Sequence, residues 1–246
     1  MGARIEFRTG DARKLAGIAD GSVDLVVTSP PYLDRDTGRY GGADSDQLNF
    51  RNDRDAYVER LVEATREMLR VLRQDGSAFV HVGDGDNTHY PMHLAPYYYA
   101  TAVNHRLRPF FGAPIIWQWG WDHRATTMSK GYEVWFHLAR SADHFRNESG
   151  FCSGVWAIRI DRLDPRLAAL GAKDDHYPIE IARRLIAMFS EPGATVLDPF
   201  GGTGTTAIAA FELGRHAITN DISPEQTRYA KARFELYRAD HGLAAE

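Results

Sequence analysis

Apolar positions along the chain switch between two periods, and that switching predicts alternating strands and helices. Val23-Asp24-Leu25-Val26-Val27-Thr28 is a short β-branched run that stops at Ser29-Pro30-Pro31, where two prolines forbid a continued ladder; it reads as a buried strand. From Asp55, the residues Val58, Leu61, Val62, Thr65, Met68, Leu69 and Leu72 recur on one helical face, and Asp75-Gly76 reads as the end of that helix. Ser77 to Val82 predicts the next strand. A second amphipathic helix begins near Pro178 and carries Ile179, Ala182, Leu185, Ile186 and Phe189.

Thr195 to Asp198 predicts a strand entering a glycine-rich turn, followed by a helix from Thr205 to Leu213 that stops at Gly214 and a strand from His216 to Thr219. Ser223-Pro224-Glu225-Gln226 supplies an N-cap, a proline at the first helical position and a Gln at N3, so a last helix runs to about Arg238. Strands alternating with helices predict an α/β fold with a doubly wound, mostly parallel sheet in one domain. Asp34 to Asp53 is polar and longer than most connections, and reads as a mobile loop that could close over a substrate. All five tryptophans fall between Trp117 and Trp156, which marks residues 104 to 156 as a small aromatic-rich β insertion.

Composition narrows the class. With 246 residues, 43% hydrophobic and 25% charged, the chain is a folded globular protein, and a net charge of −4 requires any nucleic-acid contact to come from a local basic surface. No apolar stretch approaches the length that spans a bilayer and residues 1 to 10 lack a signal-peptide core, so a cytoplasmic protein is expected. The single cysteine, Cys152, and the scattered histidines provide no metal-site spacing, and no metal is expected.

Two motifs carry chemistry. In Leu197-Asp198-Pro199-Phe200-Gly201-Gly202-Thr203-Gly204 a strand meets a glycine-rich turn and a helix start, where backbone can approach a ligand and free N–H groups face it. Asp221, at the end of the next strand, suits a ribose. The same segment also satisfies a dinucleotide fingerprint as Gly202-x-Gly204-x-x-Ala207, so a nicotinamide cofactor stays open at this point. In Thr28-Ser29-Pro30-Pro31-Tyr32 a rigid corner presents the Ser29 hydroxyl and the Pro30 carbonyl, acceptors suited to an exocyclic amine, while Tyr32 would stack on the face of a flipped base.

Ser29-Pro30-Pro31-Tyr32 and Asp198-Pro199-Phe200-Gly201-Gly202-Thr203-Gly204 together resemble the signatures of the amino-group DNA methyltransferases that use S-adenosylmethionine. The order, catalytic motif before cofactor motif, is similar to the permuted β class of that family, and the resemblance covers nearly the whole chain. It implies a circularly permuted Rossmann-like methyltransferase fold. It also implies methyl transfer to a flipped base in double-stranded DNA, with Ser29, Pro30, Pro31 and Tyr32 catalytic. For the cofactor it implies Asp11 near the adenine, Thr28 among the binding residues, His176 and Pro178 at the methionine end, the segment Asp198 to Thr205 around the methionine, and Asp221 on the ribose. Serine in the first position favours cytosine N4 over adenine N6; C5 methylation would need a cysteine nucleophile, and Cys152 follows Phe151 rather than a proline.

For DNA contact the candidates are Arg106, Arg108, Trp121, Arg124 and Lys130, weighed against the plainer reading of the tryptophans as sheet packing and of the cations as a solvated face. The histidines, His81 included, read as hydrogen-bonded core or surface residues. A homodimer and a cognate restriction nuclease are the partners the resemblance suggests besides DNA. A non-catalytic DNA-binding protein of the same fold is the alternative from another class, and the two intact motifs argue against it.

Overall fold

The computed structural model describes residues 2–33, 53–83, 94–119, 131–146, 154–172 and 176–243. Its centre is the stretch that the prolines terminate: β2 (Val23–Thr28) is buried on both faces, as a central parallel strand of β-branched residues must be. Val26 packs into one apolar cluster while Leu25 and Val27 enter another, the period of two expressed in three dimensions.

Five strands run parallel in the spatial order β1 (Ile5–Thr9), β9 (His216–Asp221), β8 (Thr195–Asp198), β2 and β3 (Leu72–Val82). Beyond β3 the sheet turns antiparallel through β6 (Tyr132–Ala139), which also pairs with β4 (Phe110–Phe111) and β5 (Ile115–Gln118); β7 (Val155–Ala157) adds the last strand. From β8 the chain steps one way to β9, and from β2 it steps the other way to β3. The reversal lies between β2 and β8, where doubly wound sheets open a ligand crevice at their carboxyl ends.

Helices α1 (Arg54–Val71) and α2 (Ala95–Arg106) cover the Val26 face. Helices α4 (Ile179–Phe189) and α5 (Thr205–Glu212) cover the other, while α6 (Pro224–Asp240) packs on β1 and β9 and the short α3 (Pro165–Ala169) packs on α6. Pro178 starts α4 without a side-chain cap, and the Asp161 carboxylate instead accepts the Ile179 N–H at 2.9 Å. Ser223 caps α6 as expected, accepting the Gln226 N–H, and its own N–H donates to Asp221.

One expectation changes, at the end of the first long helix. The first long helix ends at Val71, and Leu72-Arg73-Gln74-Asp75-Gly76 already belongs to β3, because Gly21 and Ser22 take up the Arg70 and Val71 carbonyls and lead into the strand pairing of Val23 with Leu72. In the aromatic region the described strands complete the one sheet, and Trp117, Trp135 and Trp156 are buried in the core beside α4. The loop from Asp34 lies outside the described residues up to Asp53, which caps α1 by accepting the Ala56 N–H.

Leu185 is fully buried between α4 and the sheet. Leu185→Ala should lower unfolding free energy by about 2–5 kcal/mol, measured by urea denaturation. An effect below about 1 kcal/mol would show that α4 is not part of the cooperative core.

Candidate active site

The two motifs end neighbouring strands and are joined from beneath. Thr28 Oγ1, the last residue of β2, donates to Asp198 Oδ1 at 2.7 Å, and Asp198 Oδ2 accepts from Thr206 Oγ1 of α5 at 2.5 Å. The Phe200 N–H adds a third bond to the same carboxylate. Tyr177 continues the network through Thr206 at 2.5 Å, and its ring meets Trp135 edge-on. Burial pushes the Asp198 carboxyl up to about 6, against the pull of the three hydrogen bonds and with a smaller push from Asp221.

Asp198 and Thr28 are therefore both buried supports, 2% and 0% exposed, rather than groups facing the crevice. This changes the role expected of Asp198: its oxygens are committed to Thr28, Thr206 and Phe200, so it shapes the cofactor loop from below.

Above it, the glycines have separable duties. A Cβ on Gly201 would stand 2.2 Å from Thr219 Cγ2, so the loop touches β9 there. Gly202 and Gly204 have φ of +48° and +80°, which favours glycine. Gly204 is the N-cap of α5 and offers no side-chain cap, leaving the first N–H groups of that helix for an incoming polar group. Thr203 and Thr205 are held by the Arg233 guanidinium. The Pro199 carbonyl accepts from Asn220, and Phe200 packs on the core.

Asp221 closes the other side. Its carboxylate accepts the Gly202 and Ser223 N–H groups at 2.9 Å each, and burial pushes its pKa up to about 6 against those two bonds. A half-buried carboxylate beside a glycine loop and an uncapped helix start fits a nucleoside bearing a polar tail.

Asp11 follows β1 next to Asp221. Burial alone would raise its pKa, but hydrogen bonds from the Arg13 side chain and backbone outweigh that and hold it below the usual value. His176 and Pro178 stand at the entry to α4, flanking the buried Tyr177.

At the catalytic corner Pro30 is buried, and the Pro31 carbonyl accepts from Tyr57 OH of α1 at 3.0 Å. Two residues that sequence reasoning passed over complete it. Ser29 Oγ lies 3.0 Å from His81 Nδ1, and His81 Nε2 lies 2.8 Å from Glu133 Oε2, which also accepts from Tyr32 OH at 2.8 Å. The His81 ring stacks on Trp135 at 4.7 Å and meets Trp117 edge-on. Gly83 leaves the room Tyr32 occupies: a Cβ there would stand 2.3 Å from its ring. The signal available for His81 was its place, a polar residue at the carboxyl end of the strand beside the catalytic one. Glu133 arrives on β6, too far along the chain for any motif to include it.

The basic candidates separate from this site. Arg106 ends α2 and pairs with Glu59 of α1; Arg108 adopts a left-handed φ of +49° just past the helix end. The strand after them pairs at Ala139, which faces Ser77, four residues from His81 and so about 13 Å along the strand from the site. Arg106 and Arg108 therefore stand apart from Ser29, and their candidacy for DNA contact concerns the duplex beside the site rather than the base at Ser29. Trp121, Arg124 and Lys130 lie outside the described residues. Among the described residues, no cluster of His, Cys, Asp and Glu could hold a metal ion, and no helix is long and apolar enough to cross a membrane.

Residues 23–232 match a family model described as DNA methylase, that of the N6 and N4 methyltransferases. The chain is similar to the type II methyltransferase M.SmaI of Serratia marcescens, 24% identical over 91% of this chain and 88% of that one. It is likewise similar to M.MjaI of Methanocaldococcus jannaschii, 29% identical over 87% and 85%. Among solved structures, the cytosine-N4-specific PvuII DNA methyltransferase has the same fold, with a TM-score of 0.78 at 18% identity over 95% of this chain and 87% of that one. A Thermus thermophilus protein described as a candidate DNA modification methylase, solved in complex with S-adenosyl-L-methionine, gives 0.69 at 26% identity over 95% and 93%.

Asp221 sets a pH dependence. Hydroxyl groups donating to its carboxylate favour the ionised form, so affinity for a ribose-bearing ligand should fall as pH drops below about 6, by up to about tenfold per pH unit. Equilibrium dialysis of S-adenosylmethionine between about pH 5 and 8 checks this; Asp221→Asn should bind more weakly and without that slope, and a flat wild-type profile would refute it. In the ligand-free protein the sign reverses. Asp198 and Asp221, raised to about 6 when folded, keep protons that the unfolded chain releases near its lower carboxyl pKa, so their contribution to stability grows as pH falls through about 6. As candidates for phosphate contact, Arg106 and Arg108 should each lower the salt slope of DNA binding by about 1 when changed to Ala, read by filter binding, and an unchanged slope would remove them from the interface.

Proposed function

This chain belongs to the DNA methylase family of N6 and N4 amino methyltransferases, and from that premise we propose that it methylates cytosine N4 in double-stranded DNA, using S-adenosylmethionine. One observation carries the reading: the Ser29-Pro30-Pro31-Tyr32 corner and the Gly201 to Gly204 loop stand at adjacent strand ends, locked together by the Thr28–Asp198 hydrogen bond. A bound nucleoside donor and a flipped base would meet at that junction, in the crevice the strand order opens.

S-adenosylmethionine supplies a methyl group on a positively charged sulfur. Asp221 binds the ribose hydroxyls, the uncapped start of α5 and the glycine loop receive the methionine end, and Asp11 and His176 flank the two ends of the site. At the catalytic corner the Ser29 hydroxyl oxygen and the Pro30 carbonyl accept the two N–H bonds of the base's amino group. Those acceptors draw the nitrogen lone pair out of conjugation and stabilise the positive charge that develops there. Tyr32, wedged against Gly83 and tied to Glu133, stacks on the base.

Serine at position 29 supports cytosine, as does the cytosine-N4 specificity of the PvuII structural neighbour. Adenine N6 is the second reading, favoured by the Glu133 carboxylate behind His81, which brings negative charge toward the amine pocket much as an aspartate at position 29 would.

The test is incubation of the protein with S-adenosylmethionine and unmethylated duplex DNA, then nucleoside analysis by mass spectrometry. N4-methylcytosine is expected; N6-methyladenine would transfer the same mechanism to the second base, and 5-methylcytosine would refute it. Ser29→Ala should cut turnover by about 100-fold or more while leaving S-adenosylmethionine affinity within about twofold. Equal loss of both would assign Ser29 to folding instead.

A further inference from the structure

We propose that Glu133 and His81 are positioning residues that fix the direction of the Ser29 hydroxyl and carry away the proton the amine loses; this inference rests on the reading of Ser29 as the amine acceptor. The geometry is a continuous line from two buried residues to the half-buried Ser29. Glu133 Oε2, His81 Nε2, His81 Nδ1 and Ser29 Oγ follow one another at 2.8 Å and 3.0 Å across the imidazole, with His81 and Glu133 only 1% and 8% exposed.

His81 Nε2 stands 2.8 Å from a Glu133 oxygen, an ion-pair contact with a group that can only accept, whereas the Tyr32 hydroxyl lies farther off, 3.3 Å from Nδ1 and 3.4 Å from Nε2; in this proposal the hydrogen of the neutral ring is therefore on Nε2. In the neutral ring Nδ1 is then an acceptor, and the Ser29 O–H must donate to it. That leaves both Ser29 oxygen lone pairs for the base. Without the pair, a serine hydroxyl is free to turn its hydrogen toward the substrate amine and repel it. Stacking on Trp135 and the edge contact with Trp117 hold the ring in this orientation.

The same atoms balance the reaction. As the N–CH3 bond forms and the S–CH3 bond breaks, the sulfur takes the bonding pair and becomes neutral, and the amine nitrogen is left with one proton in excess. That proton passes to Ser29 Oγ while the Ser29 hydrogen passes to His81 Nδ1. The resulting imidazolium donates from Nε2 to ionised Glu133, so the new positive charge is paired where it forms. Release of the proton to solvent restores the ring.

Glu133 has a second duty through the same oxygen, which accepts from Tyr32 OH. One carboxylate from an antiparallel strand therefore orients both side chains of the catalytic corner. Glu133 reaches the site through the pairing of Trp135 with His81 across β3 and β6.

Long-range 1H–15N spectra of 15N-histidine-labelled protein, with His81→Asn used to assign its signals, read the tautomer without any turnover. Wild type should show His81 as the single Nε2–H tautomer, and Glu133→Gln, which keeps an acceptor but removes the charge, should mix the two tautomers. In single-turnover assays Glu133→Gln should lose about 100-fold in the methyl-transfer rate, with S-adenosylmethionine affinity unchanged and the KM for DNA moved less than about threefold, the split expected when only the chemical step suffers. Glu133→Leu, which removes the acceptor as well, should lose more, and its thermal melt separates catalytic loss from unfolding. An Nδ1–H tautomer in wild type, or a wild-type transfer rate in Glu133→Gln, would overturn the proposal. Ser29→Ala with full turnover would instead refute the functional reading, while the tautomer spectrum would still report on the Glu133–His81 pair.

Discussion

Everything in the site hangs on one buried carboxylate. Asp198 ends β8 almost wholly shielded from solvent, and a charge in such a place is tolerated only because Thr28, Thr206 and the Phe200 N–H surround it with donors. Those donors belong to β2, to α5 and to the glycine-rich loop. Satisfying Asp198 therefore fixes the spacing between two halves of the chain that lie 170 residues apart. The elevated pKa is the trace of that compromise between burial and hydrogen bonding.

From this point the chemistry divides along the sheet. On the β9 side a glycine loop and Asp221 provide backbone N–H groups and a carboxylate, the complement of a nucleoside with a polar tail. On the β3 side the proline corner, His81 and Glu133 provide acceptors and a route for a proton. Close packing enforces the division: Gly201 touches β9 and Gly83 touches Tyr32, and neither place has room for a side chain. Among the described residues, the site is held in place by strand ends and helix starts, which preorganise it.

Local physics explains which parts were legible in the sequence. The strand at Val23–Thr28, the helix after Pro178 and the Ser223 cap follow from β-branched runs, helical periodicity and N-cap chemistry, all of which act within a few residues. Both motifs were readable for the same reason, since Ser29 to Tyr32 and Asp198 to Gly204 are contiguous. The helix end at Asp75-Gly76 was misread because a strand pairing of Val23 with Leu72 overrode the local turn signal. Where Arg106 and Arg108 stand along the sheet was not legible, because charge counted along a sequence does not reveal which end of a sheet it occupies.

The sequence by itself determined the alternating architecture, the catalytic corner and the cofactor loop, because each depends on neighbours in the chain and on the steric demands of proline and glycine. It also determined the chemistry offered there, a hydroxyl and carbonyls at one motif and backbone N–H groups at the other. Only the tertiary structure decided that Asp198 supports rather than faces the crevice, that the tryptophans Trp117, Trp135 and Trp156 are core, and that His81 and Glu133 stand behind Ser29. Those facts depend on strand order and register, which bring distant residues to hydrogen-bonding distance. Hydrophobic period specifies which face a residue takes, but the partner across the sheet is set by how the whole chain closes.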